Sequence, residues 1–244
     1  MNKQIDKSKI KVIAFDLDGT LTQHKQPLEP AHRETLDKLA KKYKLLMAGA
    51  GQAMRIFKQM GGYPIDIIGN YGLQFAKYNE QTKDIDILRD QTFSCNRESV
   101  EERADYIRKK YGYTTFAGDS VEYHPSGCIT LALLGTKAAQ ADKLAFDPDR
   151  SKRRVMYDEV VELFSDYNVF VGGSSSFDMA PKPFNKYYAL DLYCKENQLA
   201  HENVFFVGDD YGIGGNDESV YQSDFGFICV DDYRRFPEAM VDLL

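Results

Sequence analysis

With 244 residues, 43% of them hydrophobic and 28% charged, the chain is long for one small domain and short for two full ones, so a core domain carrying an inserted module is expected. Its net charge of −6, from 31 basic and 37 acidic residues, and the lack of any basic block interleaved with aromatics argue against a nucleic-acid footprint. No window has the length and hydrophobicity of a membrane span or a secretory leader, and the four cysteines, Cys95, Cys128, Cys194 and Cys229, are widely spaced, so a cytoplasmic protein with reduced, structural thiols is expected.

In chain order, Val12 to Phe15 is an apolar run of the length of a strand buried on both faces, and Asp16 and Asp18 follow at its end. Pro30 opens a helix in which Leu36, Leu39, Ala40 and Tyr43 recur at helical spacing. Leu45 to Ala48 is a second buried strand; Gly49-Ala50-Gly51 breaks it into a helix through Ile56, Phe57 and Met60 that Gly61-Gly62 stops. Ile65 to Ile68 is a third strand. This alternation predicts a Rossmann-like, doubly wound parallel sheet of the α/β class with right-handed crossovers.

After residue 73 the rhythm changes. Gln74 to Tyr78 and Ile85 to Leu88 read as a hairpin, Asn96 to Lys110 as a helix, Ser126 to Gly135 as a strongly apolar strand, 146–154 as a charged connection, Tyr157 to Phe164 as a helix and Val169 to Met179 as one strand. The expected organisation is a core over 1–79 and 182–244 with an α/β unit inserted at 80–181. In the core the pattern resumes with a helix from Tyr187 to Leu199, strands at Val204 to Val207 and Phe225 to Val230, and a closing helix at Pro237 to Leu243.

The chemistry gathers at strand ends. Side chains two apart in an extended chain point the same way, so Asp16 and Asp18 can converge on one cation while Gly19 lets the backbone turn closely around it. Asp209 ends another strand, a glycine-rich turn leads to Asn216-Asp217, and Lys186 stands at the head of a helix. Taken singly, each has a plain alternative: Asp-Gly a solvated turn, Lys186 a surface residue flanking a helix, Asn216-Asp217 a helix cap. Taken in order, they make a constellation for phosphate and magnesium. A carboxylate attacking a phosphate dianion meets a repulsion of about 4 kcal/mol per charge pair at close range, which a lysine and a hard divalent cation offset. The histidines, His24, His32, His124 and His201, lack zinc-ligand spacing.

The string Asp16-Leu17-Asp18-Gly19-Thr20-Leu21-Thr22 resembles the first motif of the haloacid dehalogenase superfamily of phosphotransferases, with Lys186 similar to its lysine and Gly208-Asp209 with Asn216-Asp217 similar to its final acidic motif. Within it, Gly172 to Asp178, Lys186 to Leu190 and Gly208 to Asp217 most resemble eukaryotic-type phosphomannomutases. The resemblance implies an inserted α/β cap, Asp16 as nucleophile, Asp18 as general acid and then base, Mg2+ held by Asp16, Asp18, Asp209 and Asp217, and Ser176 and Asp178 toward sugar hydroxyls. Phosphate contacts are expected from the backbone at Gly49 and Ala50, where the superfamily usually has a Ser or Thr, and from Asn216.

One departure bears on the reaction. The mutase cap strand carries arginines for a second phosphate, whereas Ser126 to Thr136 holds none and Lys137 is the only adjacent cation. The leading expectation is therefore Mg2+-dependent phosphomonoester hydrolysis of a sugar phosphate or similar small phosphometabolite through an aspartyl phosphate. A phosphomannomutase-type mutase is the alternative, and a non-catalytic phosphometabolite-binding module the third reading. Neither a nucleic-acid nor a membrane partner is expected, and the apolar strand Ile129 to Leu134 allows a monomer or, as the resemblance implies, a cap-mediated homodimer.

Overall fold

The computed structural model describes residues 6–244. The first half of the chain forms β1 (Val12–Phe15), α1 (Pro30–Leu39), β2 (Lys44–Ala48), α2 (Ala53–Gln59), β3 (Asp66–Gly69), β4 (Gln74–Asn79), β5 (Asp84–Asp90), α3 (Arg97–Tyr111) and β6 (Val121–Tyr123). The second forms β7 (Ile129–Ala132), α4 (Gln140–Phe146), α5 (Ser151–Leu163), β8 (Tyr167–Phe170), β9 (Ser176–Pro181), α6 (Lys186–Glu196), β10 (Val204–Gly208), α7 (Glu218–Tyr221), β11 (Gly226–Cys229) and α8 (Phe236–Ala239). They fall into two compact units. One runs to Asp90 and resumes over Asn185–Gly212 and Asp217–Leu244; the other comprises Gln91–Phe184 with Ile213–Asn216.

The first unit is a seven-stranded sheet in the order β11-β10-β1-β2-β3-β4-β5. Strands β11 to β3 are parallel and their apolar runs are continuous because both faces are covered. Ile13, Phe15, Leu45, Met47, Phe205 and Val207 join one core with Leu36 of α1, Ile56 of α2 and Phe236 of α8. Their neighbours Val12, Ala14, Leu46, Ala48, Val204 and Phe206 point the other way and pack with Ala189, Leu190 and Tyr193 of α6 and Val220 of α7. Each fully buried Phe or Leu adds about 1.5–3 kcal/mol. The fold is the expected doubly wound α/β core, with one addition: the hairpin β4-β5, expected to belong to the inserted unit from residue 80 on, extends this sheet by antiparallel pairing of β4 on β3. The C-terminal segment expected as one helix is the short α8 between two 3-10 turns, Tyr233–Arg235 and Val241–Leu243.

The second unit is a four-stranded antiparallel sheet, β6-β7-β9-β8, backed by α3 and α5. Two expectations are corrected here, and one strand, β6, was not expected. The run Val169 to Met179 is not one strand: Gly172-Gly173-Ser174-Ser175 turns the chain, and β8 pairs back on β9. Strand β6 is too short, at three residues, for its periodicity to show in the sequence. The charged segment 146–154 is not a connection, because α4 ends in it and α5 begins in it at Ser151. Asp147 makes that start possible by accepting the amides of Lys152 (2.9 Å) and Arg153 (3.1 Å).

Arg153 itself is buried. Its Nε donates to Asp147 Oδ2 at 2.8 Å, and its Nη1 donates to the carbonyls of Gly172 (2.6 Å) and Ser176 (2.9 Å), so it ties α5 to the β8-β9 turn. Arg108 of α3 is likewise buried, donating from Nη1 to the carbonyls of Leu133 (2.8 Å), just past β7, and Tyr113 (2.9 Å), just past α3. Removing one partner of such a buried pair strands a charge and several carbonyls, so Arg153→Met is expected to lower unfolding stability by about 3–5 kcal/mol. Urea unfolding followed by circular dichroism checks it; a loss under about 1 kcal/mol would contradict this reading of the turn.

Candidate active site

The site lies in the first unit, at the carboxyl ends of its parallel strands. The Asp16 amide donates to the Val207 carbonyl (2.9 Å), prolonging the β1–β10 ladder and carrying Asp16 to the rim. The next residues wind around the Leu17 carbonyl, which accepts from the amides of Leu21 (2.9 Å) and Thr22 (3.0 Å). That turn brings the Thr20 hydroxyl to Asp209 Oδ1, to which it donates at 2.8 Å. Gly19 sits at φ +102°, and a Cβ there would lie 2.4 Å from Asp209 Oδ2, so the close approach of the two segments needs glycine.

From the other side, Lys186 is the first residue of α6, whose start is fixed by the Asn185 side chain accepting from the Tyr188 amide (2.8 Å). Its Nζ donates to Asp16 Oδ1 at 2.5 Å and to Asp217 Oδ1 at 2.6 Å, and all three side chains are buried. Asp217, at the head of α7, accepts the Asp210 amide on its second oxygen (3.1 Å). Carboxylate oxygens of Asp16, Asp209 and Asp217 lie within 4.8 Å of one another.

Burial pushes the carboxyl of Asp16 well above the usual aspartate range; Lys186 opposes this, and the charges of Asp217 and Asp209 add to it. Asp217 is raised as well, by burial first, against Lys186. Asp209 is pushed up to about 7 by burial and by Asp217, despite the Thr20 hydrogen bond. Burial disfavours the Lys186 ammonium, but Asp16 and Asp217 outweigh it and hold the lysine above its ordinary value. Three converging carboxylates share a single buried ammonium, so the group is short of positive charge. Its hard-oxygen donor set, partly open at Asp209, suits Mg2+.

Asp18, expected among the metal ligands, is not part of this group. Its Oδ1 accepts from the Lys25 amide (2.7 Å) and from Gln59 Nε2 (2.7 Å), and its Oδ2 faces the Arg55 guanidinium at 3.6 Å. Gly49, expected to offer its amide to phosphate, spends it on the Ile68 carbonyl (2.9 Å), prolonging β2 along β3. Ala50 is half-buried in the turn beyond. Ser176 and Asp178 lie on β9 of the second unit, where Ser176 Oγ donates to the Gly172 carbonyl (3.1 Å) and Asp178 accepts from Thr130 Oγ1 (3.0 Å). Asn216 is half-buried in the short segment of that unit leading to Asp217.

Thr20, Arg55 and Gln59 were not foreseen. Thr20 sits inside the motif as a plain turn residue. Arg55 and Gln59 stand four apart on α2, with Arg55 Nη1 donating to Gln59 Oε1 at 2.7 Å, and that i,i+4 spacing on a helix following Gly49-Ala50-Gly51 is the signal that could have marked them.

Because Lys186 compensates two buried carboxylates, Lys186→Met is expected to cost about 3 kcal/mol or more of stability near pH 8 without divalent cations. The freed carboxyls then have further-raised folded values, so the cost should shrink as pH falls toward about 5 and they protonate. Chemical denaturation at the two pH values measures both; equal losses would contradict the charge assignment.

The chain matches the family model described as eukaryotic phosphomannomutase over residues 32–229, a match that begins after the Asp16 turn. It is 26% identical over 249 residues to a phosphomannomutase of Encephalitozoon cuniculi, covering 94% of this chain and 93% of that protein. It is 25% identical over 219 residues to human phosphomannomutase 1, covering 85% and 81%. Among solved structures, the N-terminally truncated, IMP-bound IMP-nucleotidase of Plasmodium falciparum aligns with a TM-score of 0.65 at 14% identity, over 96% of this chain and 68% of that one. A phosphatase of the haloalkanoate enzyme superfamily from Bacteroides thetaiotaomicron aligns with a TM-score of 0.60 at 14% identity, over 96% and 95%. These two likenesses carry the fold, and the sequence match carries the family: the chain belongs to the eukaryotic phosphomannomutase family.

Proposed function

We propose that the protein is a sugar-phosphate mutase, moving a phosphoryl group between hydroxyls of a hexose phosphate through an aspartyl phosphate at Asp16. The family match carries this reading, and the arrangement around Lys186 supports it. Asp16 has Oδ1 held by Lys186, so Oδ2 is the attacking atom; as its bond to phosphorus forms, the bond from phosphorus to the sugar oxygen breaks. Asp18, whose Oδ1 is occupied by Gln59 and the Lys25 amide, gives a proton from Oδ2 to the departing oxygen and takes one from the accepting hydroxyl in the reverse transfer. Lys186 keeps the nucleophile oriented and offsets its charge. Asp16, Asp209 and Asp217 would hold Mg2+, which when bound neutralises charge on the transferring phosphoryl group. The first unit is the catalytic core in this proposal and the second the cap, so the insertion expected at 80–181 starts after β5 instead, with Ser176 and Asp178 contributing to sugar recognition.

Hydrolysis is the second reading. It is favoured by the cap strand from Ser126 to Thr136, which has no arginine, and by the commitment of Arg108 and Arg153 to backbone carbonyls inside the second unit. Mannose 1-phosphate or glucose 1-phosphate, incubated with Mg2+ and the matching bisphosphate, should give the 6-phosphate, and Asp16→Asn should abolish turnover. Release of inorganic phosphate without isomerisation would replace the mutase by a phosphatase; full activity in Asp16→Asn would remove the nucleophile.

The metal assignment has its own pH signature. Because Asp209 is raised from 3.8 to about 7, the metal-free folded state binds its proton more tightly than the unfolded chain does. That contribution is complete below the unfolded value and is lost as pH rises through the folded one. Metal-free thermal stability should therefore decline from about pH 4 to about pH 7, and Mg2+, which needs the ionised carboxylates, should raise Tm most above about pH 7. Thermal melts with Mg2+ or a chelator test this; a Mg2+ shift that is largest near about pH 5 would exclude these ligands.

A further inference from the structure

We infer that Arg55 is a phosphate-binding residue of the active site and that Gly51 exists to make room for it. This rests on phosphoryl transfer at Asp16. Beside that residue stand Asp209 and Asp217, with Asp18 two residues along the same turn, and the ammonium of Lys186 is already divided between Asp16 and Asp217. A phosphoryl dianion approaching this rim needs a further cation on the protein.

Arg55 meets that need geometrically. Its guanidinium comes within 3.6 Å of Asp18 Oδ2, too far for a hydrogen bond, and among the described residues its one hydrogen bond is from Nη1 to Gln59 Oε1. Most of its five donors are thus uncommitted, in the planar fork that suits phosphate oxygens. Gln59 in turn donates to Asp18 Oδ1 (2.7 Å) and Thr22 Oγ1 (3.0 Å), so the head group is moored to the same turn that carries Asp16 and Asp18.

Gly51 supplies the space. A Cβ on Gly51 would lie 2.2 Å from Arg55 Nη2 and 2.5 Å from Nε, so any side chain there would push the guanidinium aside. The turn beneath is pinned by its carbonyls: Gly51 O accepts the Asn70 amide (2.8 Å) and Gly49 O the Tyr71 amide (3.3 Å). The amides of Ala50 and Gly51 donate no hydrogen bond among the described residues. The guanidinium therefore lies over a fixed turn with donors to spare, where a hydroxyl on residue 51 would otherwise project.

Inorganic phosphate titrated into the Mg2+-loaded full-length protein by calorimetry is the test, with circular dichroism melts confirming that each variant folds. Arg55→Met is expected to weaken phosphate binding about tenfold or more, and Arg55→Lys, which keeps the charge without the fork, to fall between. Gly51→Ser should displace the guanidinium and offer a hydroxyl in its place, so Arg55→Met added to Gly51→Ser should cost less than about threefold. A folded Arg55→Met with wild-type phosphate affinity would overturn the arginine alone, even if kcat fell through Asp18. Independent, multiplying effects of the two substitutions would overturn the packing of Arg55 over Gly51, and the inference with it. Wild-type protein that neither binds phosphate nor turns over sugar phosphates would remove the proposed function as well.

Discussion

The buried ammonium of Lys186, held between Asp16 and Asp217, is the interaction on which the site depends. It joins the end of β1, the first turn of α6 and the head of α7, segments far apart in the chain, at one point. Without it two carboxylates would be buried with no counter-charge, and they would take up protons rather than remain ionised. The three-carboxylate group is therefore tolerable only because of its lysine, and it still favours a further cation.

The sheet order explains why these groups meet where they do. From β1 the chain moves outward through β2 and β3 on one side, and later returns to lay β10 and then β11 on the other. The carboxyl end of β1 is thus a switch point, the place where crossovers diverge and a crevice opens in a doubly wound sheet. Asp16 and Asp209 stand at neighbouring strand ends beside it, and the Thr20 hydroxyl holds the two turns together across a gap that only Gly19 allows.

The mutase and hydrolase readings share the same aspartyl phosphate and differ only in what accepts it, a sugar hydroxyl or water. The second unit bears on that choice through its charges. Its buried arginines, Arg108 and Arg153, hold strands, turns and helices together, and its central strand presents Thr130 to Asp178 rather than a cation. In the proposed reaction neither of these two arginines is left for a second phosphate, which is why the two outcomes are worth separating by assay.

Continuous apolar runs bounded by Asp or Gly determined, from the sequence by itself, the parallel strands β1, β2, β3 and β10, because burial on both faces leaves no other pattern. Asp16, Asp18 and Asp209 were legible because they follow such runs, and Lys186 and Asn216-Asp217 because of their order along the chain relative to them. The break between β8 and β9 was hidden within an apolar stretch, and β6 was too short to show. Start signals for α5 lay in Asp147, whose role depends on folding back over the helix end. Which oxygen faces which donor was decided only in three dimensions. The alternation that aims Asp16 and Asp18 alike in an extended strand fails once the turn winds around the Leu17 carbonyl, which sends Asp18 to Gln59 and Arg55 and leaves Asp209 and Asp217 beside Asp16. Periodicity along one segment carries no information about partners supplied by another, and the site is made of such partners.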